Sequence, residues 1–263
     1  MDDSFEDDAN AVIQRTYIIN AYLALLYTHE LKTRRLSLER MVITPELTLS
    51  LDSIDDTTNM GFGNQRVSYL ATAKFPSSYQ VGLPFGLDDR ISMRGPAISH
   101  EAVDGAAENL SQVMIEHGAE GVLLLDLFLR GSKAYQDHNH NFSLINCWTI
   151  TERLLNDLWT MMQENIKSTH GSTFIDHTRR KRLSDGRTFT ASVIAEMLSF
   201  LGYISKDLYD DISSVRKLRN DWMHSLKPVS ASSVDLAMSV CERLLKQSKN
   251  IEVIGARVRR LHG

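Results

Sequence analysis

At 263 residues, 43% hydrophobic and 24% charged, the chain has the composition of an ordinary globular protein, long enough for one large domain or two small ones. Its net charge of -4 excludes a surface coated throughout by nucleic acid, so any RNA or DNA contact has to rest on a local basic patch. Cys147 and Cys241 lack a CxxC partner and offer neither a zinc-finger spacing nor a disulfide framework, which points to a reducing, cytoplasmic setting.

The N-terminal MDDSFEDDAN is acidic, unlike the basic head of a signal peptide. Residues 9 to about 40 read as one long helix, with Val12, Ile13, Ile19, Leu23, Leu26 and Leu31 near helical spacing and no Gly or Pro among them. Its apolar middle, YIINAYLALLY, is at about 11 residues too short to cross a bilayer. It reads instead as a helix covered on most sides, and no membrane partner is expected.

Residues 41–98 change character. TPELTLSLDS alternates apolar and polar side chains through Leu47, Leu49 and Leu51, a strand pattern, and RVSYLATAKF is a second candidate strand. Pro45, Pro76, Pro84 and Pro96 fall here and predict short strands joined by loops. GFGNQR lacks the lysine and Ser/Thr of a phosphate-binding P-loop.

From about residue 99 the pattern is helical, with helices expected near 101–116, 119–137, 141–167, 190–201, 205–224 and 232–248. Leu144, Trp148, Leu155, Leu158, Trp159 and Met162 make the clearest apolar stripe. Glu152 falls within that spacing. It reads either as a buried carboxylate holding Arg219 or His224, or as a structural salt bridge or an edge position reaching water. Pro228 marks the end of one helix, and Ser232 or Ser233 is placed to cap the next. In DHNHN, Asp137, His138 and His140 read as a polar turn rather than a metal site, because the histidines are two apart and no third ligand is evident.

The stretch RKLRNDWMHSLKP carries the chemistry. Histidine passes protons near neutral pH, and the planar arginine cation matches two phosphate oxygens. Arg219 and His224 together therefore suit transesterification at an RNA phosphodiester with no metal or cofactor, with Asn220 orienting the phosphate or the imidazole. Asn220 and His224 share a helix face with Arg216, whereas Arg219 and His224 lie about 140° apart around the axis. The two converge only if the helix ends or bends at His224, or if a second copy faces the first. The alternative is a solvated helix end carrying an ordinary C-terminal histidine.

The arrangement resembles the HEPN superfamily, helical domains with an arginine, a polar residue and a histidine after four to six intervening residues. Arg219, Asn220 and His224 match all three elements, and TITERLLNDLW looks like that family's second helix. The resemblance covers about 120 to 248. It implies a mainly α, HEPN-like helical bundle that commonly dimerises, with two motifs lining one cleft. For many members it implies metal-independent ribonuclease activity in toxin–antitoxin or anti-phage defence. Arg219 and His224 would be catalytic and Asn220 supporting. Other members are non-catalytic subunits that assemble with an antitoxin or a defence complex, so that reading stays open here.

The expected organisation is an N-terminal region over 1–118 (a long helix, then a small β-containing part), a HEPN-like domain over 119–250 and a basic tail over 251–263. Two basic segments are candidate RNA contacts acting on phosphates. One is HTRRKRLSDGR, expected as a loop, with Arg179, Arg180, Lys181, Arg182 and Arg187; the other is the tail with Arg257, Arg259 and Arg260. Arg216 joins them from the motif helix. A third reading makes Tyr203 or Tyr209 the acceptor of a nucleotide modification.

Overall fold

A computed structural model describes residues 3–34, 40–44, 98–171 and 174–256. Seven helices account for most of them: α1 (Asp3–Arg34), α2 (His100–Gln136), α3 (His140–His170), α4 (His177–Leu183), α5 (Ala191–Phe200), α6 (Lys206–Ser225) and α7 (Ala231–Lys249). The mainly helical class holds, with no strand among the described residues. The two candidate strands lie almost wholly outside those residues, as do Arg257, Arg259 and Arg260. No helix among the described residues is long and apolar enough to cross a membrane.

The first helix begins earlier than its pattern suggests, at Asp3, and Arg40 is no longer helical. The helices expected at 101–116 and 119–137 are the two limbs of α2, joined at Gly118, whose φ of 56° and ψ of -143° break the helix. A positive φ of this kind is open to glycine and strained for most other residues, so the kink sits where the sequence permits it.

The bundle core is built by α2, α3, α6 and α7, with α5 packed on α3 and α6. Leu125 and Leu129 of α2, Leu144, Ile150, Leu154, Leu155 and Leu158 of α3, Ile212 of α6 and Met238 of α7 are all fully buried. Each such side chain contributes about 1.5–3 kcal/mol by leaving water. α1 packs along α2 through Ala21, Ala24 and Leu25. Buried Asn20 locks this contact. Its Nδ2 donates to Asp126 Oδ1 at 2.7 Å and to the Ile43 carbonyl at 2.9 Å, while its Oδ1 accepts from the Ile43 amide at 2.8 Å. Arg130 holds the other oxygen of Asp126 at 2.7 Å.

The chain beyond α7 is drawn back under the bundle. Ile251, Val253 and Ala256 are buried, the Ile254 amide donates to Thr28 Oγ1 at 3.0 Å, and the Gly255 amide donates to Glu242 Oε1 at 2.7 Å. Arg40 donates to the Ile254 carbonyl at 2.8 Å from a site so enclosed that burial lowers its pKa to about 10.

Five contacts fix the register on which the site depends. The Cys241 thiol donates to the Cys147 carbonyl at 3.0 Å and lies 3.6 Å from Thr151 Oγ1, and Lys249 pairs with Asp157 at 2.9 Å. α3 and α7 therefore run parallel, with their first residues level. Arg243 pairs with Asp211 at 2.7 Å, and Gln247 donates to the Tyr203 carbonyl. α6 is thus antiparallel to both, and its last two turns stand level with the first turns of α3 and α7. Both cysteines are free thiols; the hydrogen bond with Cys241, and burial, hold Cys147 well above the ordinary thiol range.

Candidate functional site

α6 has a polar sequence organised around one narrow apolar stripe. Ser205 caps its start by accepting from the Leu208 amide, and Leu208, Ile212 and Val215 press into the core. It ends at Ser225, where Leu226 takes a left-handed φ of 50° and its amide returns to the Trp222 carbonyl at 2.9 Å. Pro228 lies just beyond. Ser230, not Ser232 or Ser233, caps α7, with its hydroxyl accepting from the Ser233 amide at 3.2 Å.

The motif occupies the last two turns. Arg219 is half-buried and donates from Nη1 to Asn220 Oδ1 at 3.1 Å. Its Nε is buried without a hydrogen-bond partner, and Arg216 one turn earlier has the same feature. On α7, Asp235 keeps a buried Oδ1 that is likewise unpartnered. His224 is exposed, and Asp221 pairs with Lys227 at 3.0 Å. Met223 and Leu226, 51% and 70% exposed, leave an apolar border beside the histidine. Because the helix runs unbroken through Ser225, Arg219 and His224 stay about 140° apart and do not converge within one chain.

Of the readings open for Glu152 the edge position holds: it is exposed and not the buried carboxylate, because it stands at the edge of the α3 stripe while Thr151, Leu155 and Leu158 form its centre. The register also places it level with the start of α6, about 16 Å along the axis from Arg219 at 1.5 Å per residue. It holds neither motif residue. Glu152→Gln is expected to leave any activity of the motif within about threefold of wild type and stability within ~0.5 kcal/mol, checked by a rate assay and thermal melting.

The basic segment expected as a loop is instead the short helix α4. Asp176 caps it by accepting from the Arg179 amide at 2.7 Å. Trp159 Nε1 donates to the Leu183 carbonyl at 2.9 Å, and the Trp159 ring stacks on Phe189 at 5.2 Å. Arg179, Lys181 and Arg182 line a cleft of about 930 Å³ together with Phe189. Arg180 points away to pair with Glu164, and Arg179 also stacks over Phe174 at 4.6 Å. This basic, aromatic-backed surface is docked far along α3, about 28 Å from the level of His140. One chain therefore does not bring Arg179, Arg180, Lys181 or Arg182 to the motif; among the described candidates, Arg216 is there. Sequence reading missed Phe189, which carries no recognisable spacing.

At the α2–α3 turn, Asp137 pairs with Lys133 at 2.5 Å, His138 takes a φ of 58°, and its ring lies 6.1 Å from that of His140. No group of three His, Cys, Asp or Glu side chains among the described residues is gathered closely enough to hold a metal ion. Tyr209 donates to Glu196 across α5 and α6, and Tyr203 lies at the α5–α6 turn; both stand at the end of α6 opposite the motif. No family model matches the chain, and no curated protein or solved structure does so either.

Proposed function

We propose that the chain is an endoribonuclease of HEPN type that cuts RNA without a metal, acting as a homodimer in a toxin–antitoxin or anti-phage defence system. The observation that carries this reading is the state of the motif. An arginine with free donor capacity and a histidine exposed among the described residues occupy the last two turns of one helix at one end of a helical bundle. Asn220 occupies one arm of the guanidinium and fixes its plane. A phosphodiester then takes the remaining donors, which stabilise the charge that builds on phosphorus.

In the reaction the RNA 2′-oxygen attacks phosphorus, its proton passes to a base, and the bond from phosphorus to the 5′-oxygen breaks as an acid protonates that oxygen. The products are a 2′,3′-cyclic phosphate and a 5′-hydroxyl. His224 supplies one of the two proton transfers. The face of half-buried Asn220 and exposed His224, bordered by Met223 and Leu226, is the surface through which a second copy brings its histidine to this arginine. Arg219→Ala and His224→Ala are each expected to slow cleavage of a mixed-sequence RNA by about 10²- to 10⁴-fold, with the helical circular dichroism unchanged. Equal rates for wild type and both variants would remove the motif from the reaction.

A second reading, a non-catalytic assembly subunit, is favoured by α5. Val193, Met197, Phe200 and Leu201 recur at helical spacing on its outer face, and Phe200 is 83% exposed. Growth arrest on expression that His224→Ala relieves at equal protein level would speak against it.

A further inference from the structure

Positive charge is gathered at one place in this chain. Residues 164–187 carry six Lys or Arg against three Asp or Glu, whereas the whole chain is at -4. Most of that charge lies on α4, a seven-residue helix with no buried residue. It is too short to be stable alone, and it sets Arg179 and Arg182 three apart, where like charges repel. Its order comes from outside. Asp176 caps it, the Leu183 carbonyl accepts from Trp159, Arg180 pairs with Glu164, and Arg179 donates to the Phe174 carbonyl at 2.8 Å while stacking over that ring. The fold thus holds together cations that repel one another.

Arg179 and Arg180 are engaged in these tethers; Lys181 and Arg182 are not. Both are exposed, line the cleft beside α4 and have no ion pair or side-chain hydrogen bond among the described residues. The carboxylate of the cleft, Asp185, accepts instead from the Thr188 hydroxyl at 2.8 Å and from the Arg187 amide at 3.3 Å. Half-buried Leu183 and Phe189 give the same cleft an apolar wall. The buried Trp159 ring stacks on Phe189 at 5.2 Å and holds it in one plane. A fixed aromatic ring beside uncompensated cations suits a ligand that repeats a flat ring and an anion.

We propose that this cleft binds single-stranded RNA, with a base against Phe189 and the flanking phosphates on Lys181 and Arg182. Stacking is open to every base and phosphate contacts carry no sequence information, so binding comes without sequence choice. In a double helix the bases cover one another's faces and cannot reach Phe189. An acidic peptide meets the cations but brings no ring to the aromatic wall. The role of the cleft in holding substrate for cleavage rests on the ribonuclease reading; binding of the single strand does not.

The full chain is titrated with a fluorescent 2′-O-methyl oligouridine of about 12 nucleotides, whose blocked 2′-oxygen prevents transesterification. Saturable binding is expected, at least about tenfold tighter than to the same strand annealed to oligoadenine or to an oligoglutamate. Lys181→Gln combined with Arg182→Gln, both at exposed positions, is expected to weaken binding about tenfold at low salt. The same pair is expected to flatten the slope of log affinity against log salt by about 1.4. Phe189→Leu, checked for folding by thermal melting, is expected to weaken binding about fivefold or more and to leave that slope unchanged. Equal affinity for the duplex or the oligoglutamate makes the cleft a general cationic surface and overturns the proposal. Wild-type affinity and slope in the Lys181→Gln, Arg182→Gln chain overturn it as well. In cleavage, that chain is expected to raise KM about tenfold with kcat unchanged, and a fall in kcat at unchanged KM overturns the substrate-holding role. Binding through the cleft by a chain that cuts no RNA leaves the site standing and removes the ribonuclease reading.

Discussion

Mixing Arg219→Ala chains with His224→Ala chains is expected to restore RNA cleavage that neither variant shows alone. The expectation comes from helix geometry. α6 is continuous from Lys206 to Ser225, so Arg219 follows the inward stripe and His224 lies about 140° round the axis from it. Under the proposed ribonuclease reading, the arginine of one chain works with the histidine of another. A mixed dimer carries one intact pair, contributed by the two chains' unaltered residues, and one site lacking both. Random reassortment of equal amounts yields about half mixed dimers, each with one working site of two, so about a quarter of the wild-type rate is expected. Recovery is measured after exchange of subunits has been verified by native mass spectrometry. No recovery among verified mixed dimers would require arginine and histidine to act within one chain.

The second large effect is on stability. Leu144 is fully buried in the first turns of α3, beneath the level of the motif, while Phe142 two residues before it is 51% exposed. Truncating a fully enclosed leucine removes its transfer energy and leaves a cavity that neighbours only partly fill, a cost of about 2–5 kcal/mol. Leu144→Ala is expected to lose that much in urea unfolding, and Phe142→Ala less than about 1 kcal/mol. Equal losses at the two positions would mean that this end of the bundle is not packed as described.

The helices that could be read in advance are those whose apolar residues recur at helical steps and whose ends carry punctuation. Gly118 divides α2, Gly202 parts α5 from α6, and Pro228 follows α6. α4 was missed because HTRRKRL has no buried residue; its order comes from the Asp176 cap and from the Leu183 carbonyl bound to Trp159, a contact between residues 24 apart. Glu152 kept two readings in the sequence because spacing alone cannot tell the centre of a stripe from its edge. At the candidate site, the residue types of Arg219, Asn220 and His224 were legible, and so was their angular separation, since both follow from helix geometry. Which other residues share that end of the bundle was not. That depends on α3 and α7 running parallel and α6 against them, a matter of how helices pair across long stretches of chain.

The most direct measurement is the end chemistry of RNA incubated with the purified protein in excess EDTA. Fragments ending in a 2′,3′-cyclic phosphate and beginning with a 5′-hydroxyl, produced by wild type and missing with Arg219→Ala and His224→Ala, are the predicted result. Fragments with 3′-hydroxyl and 5′-phosphate ends, or cleavage that survives both substitutions, would contradict transesterification by this arginine and histidine.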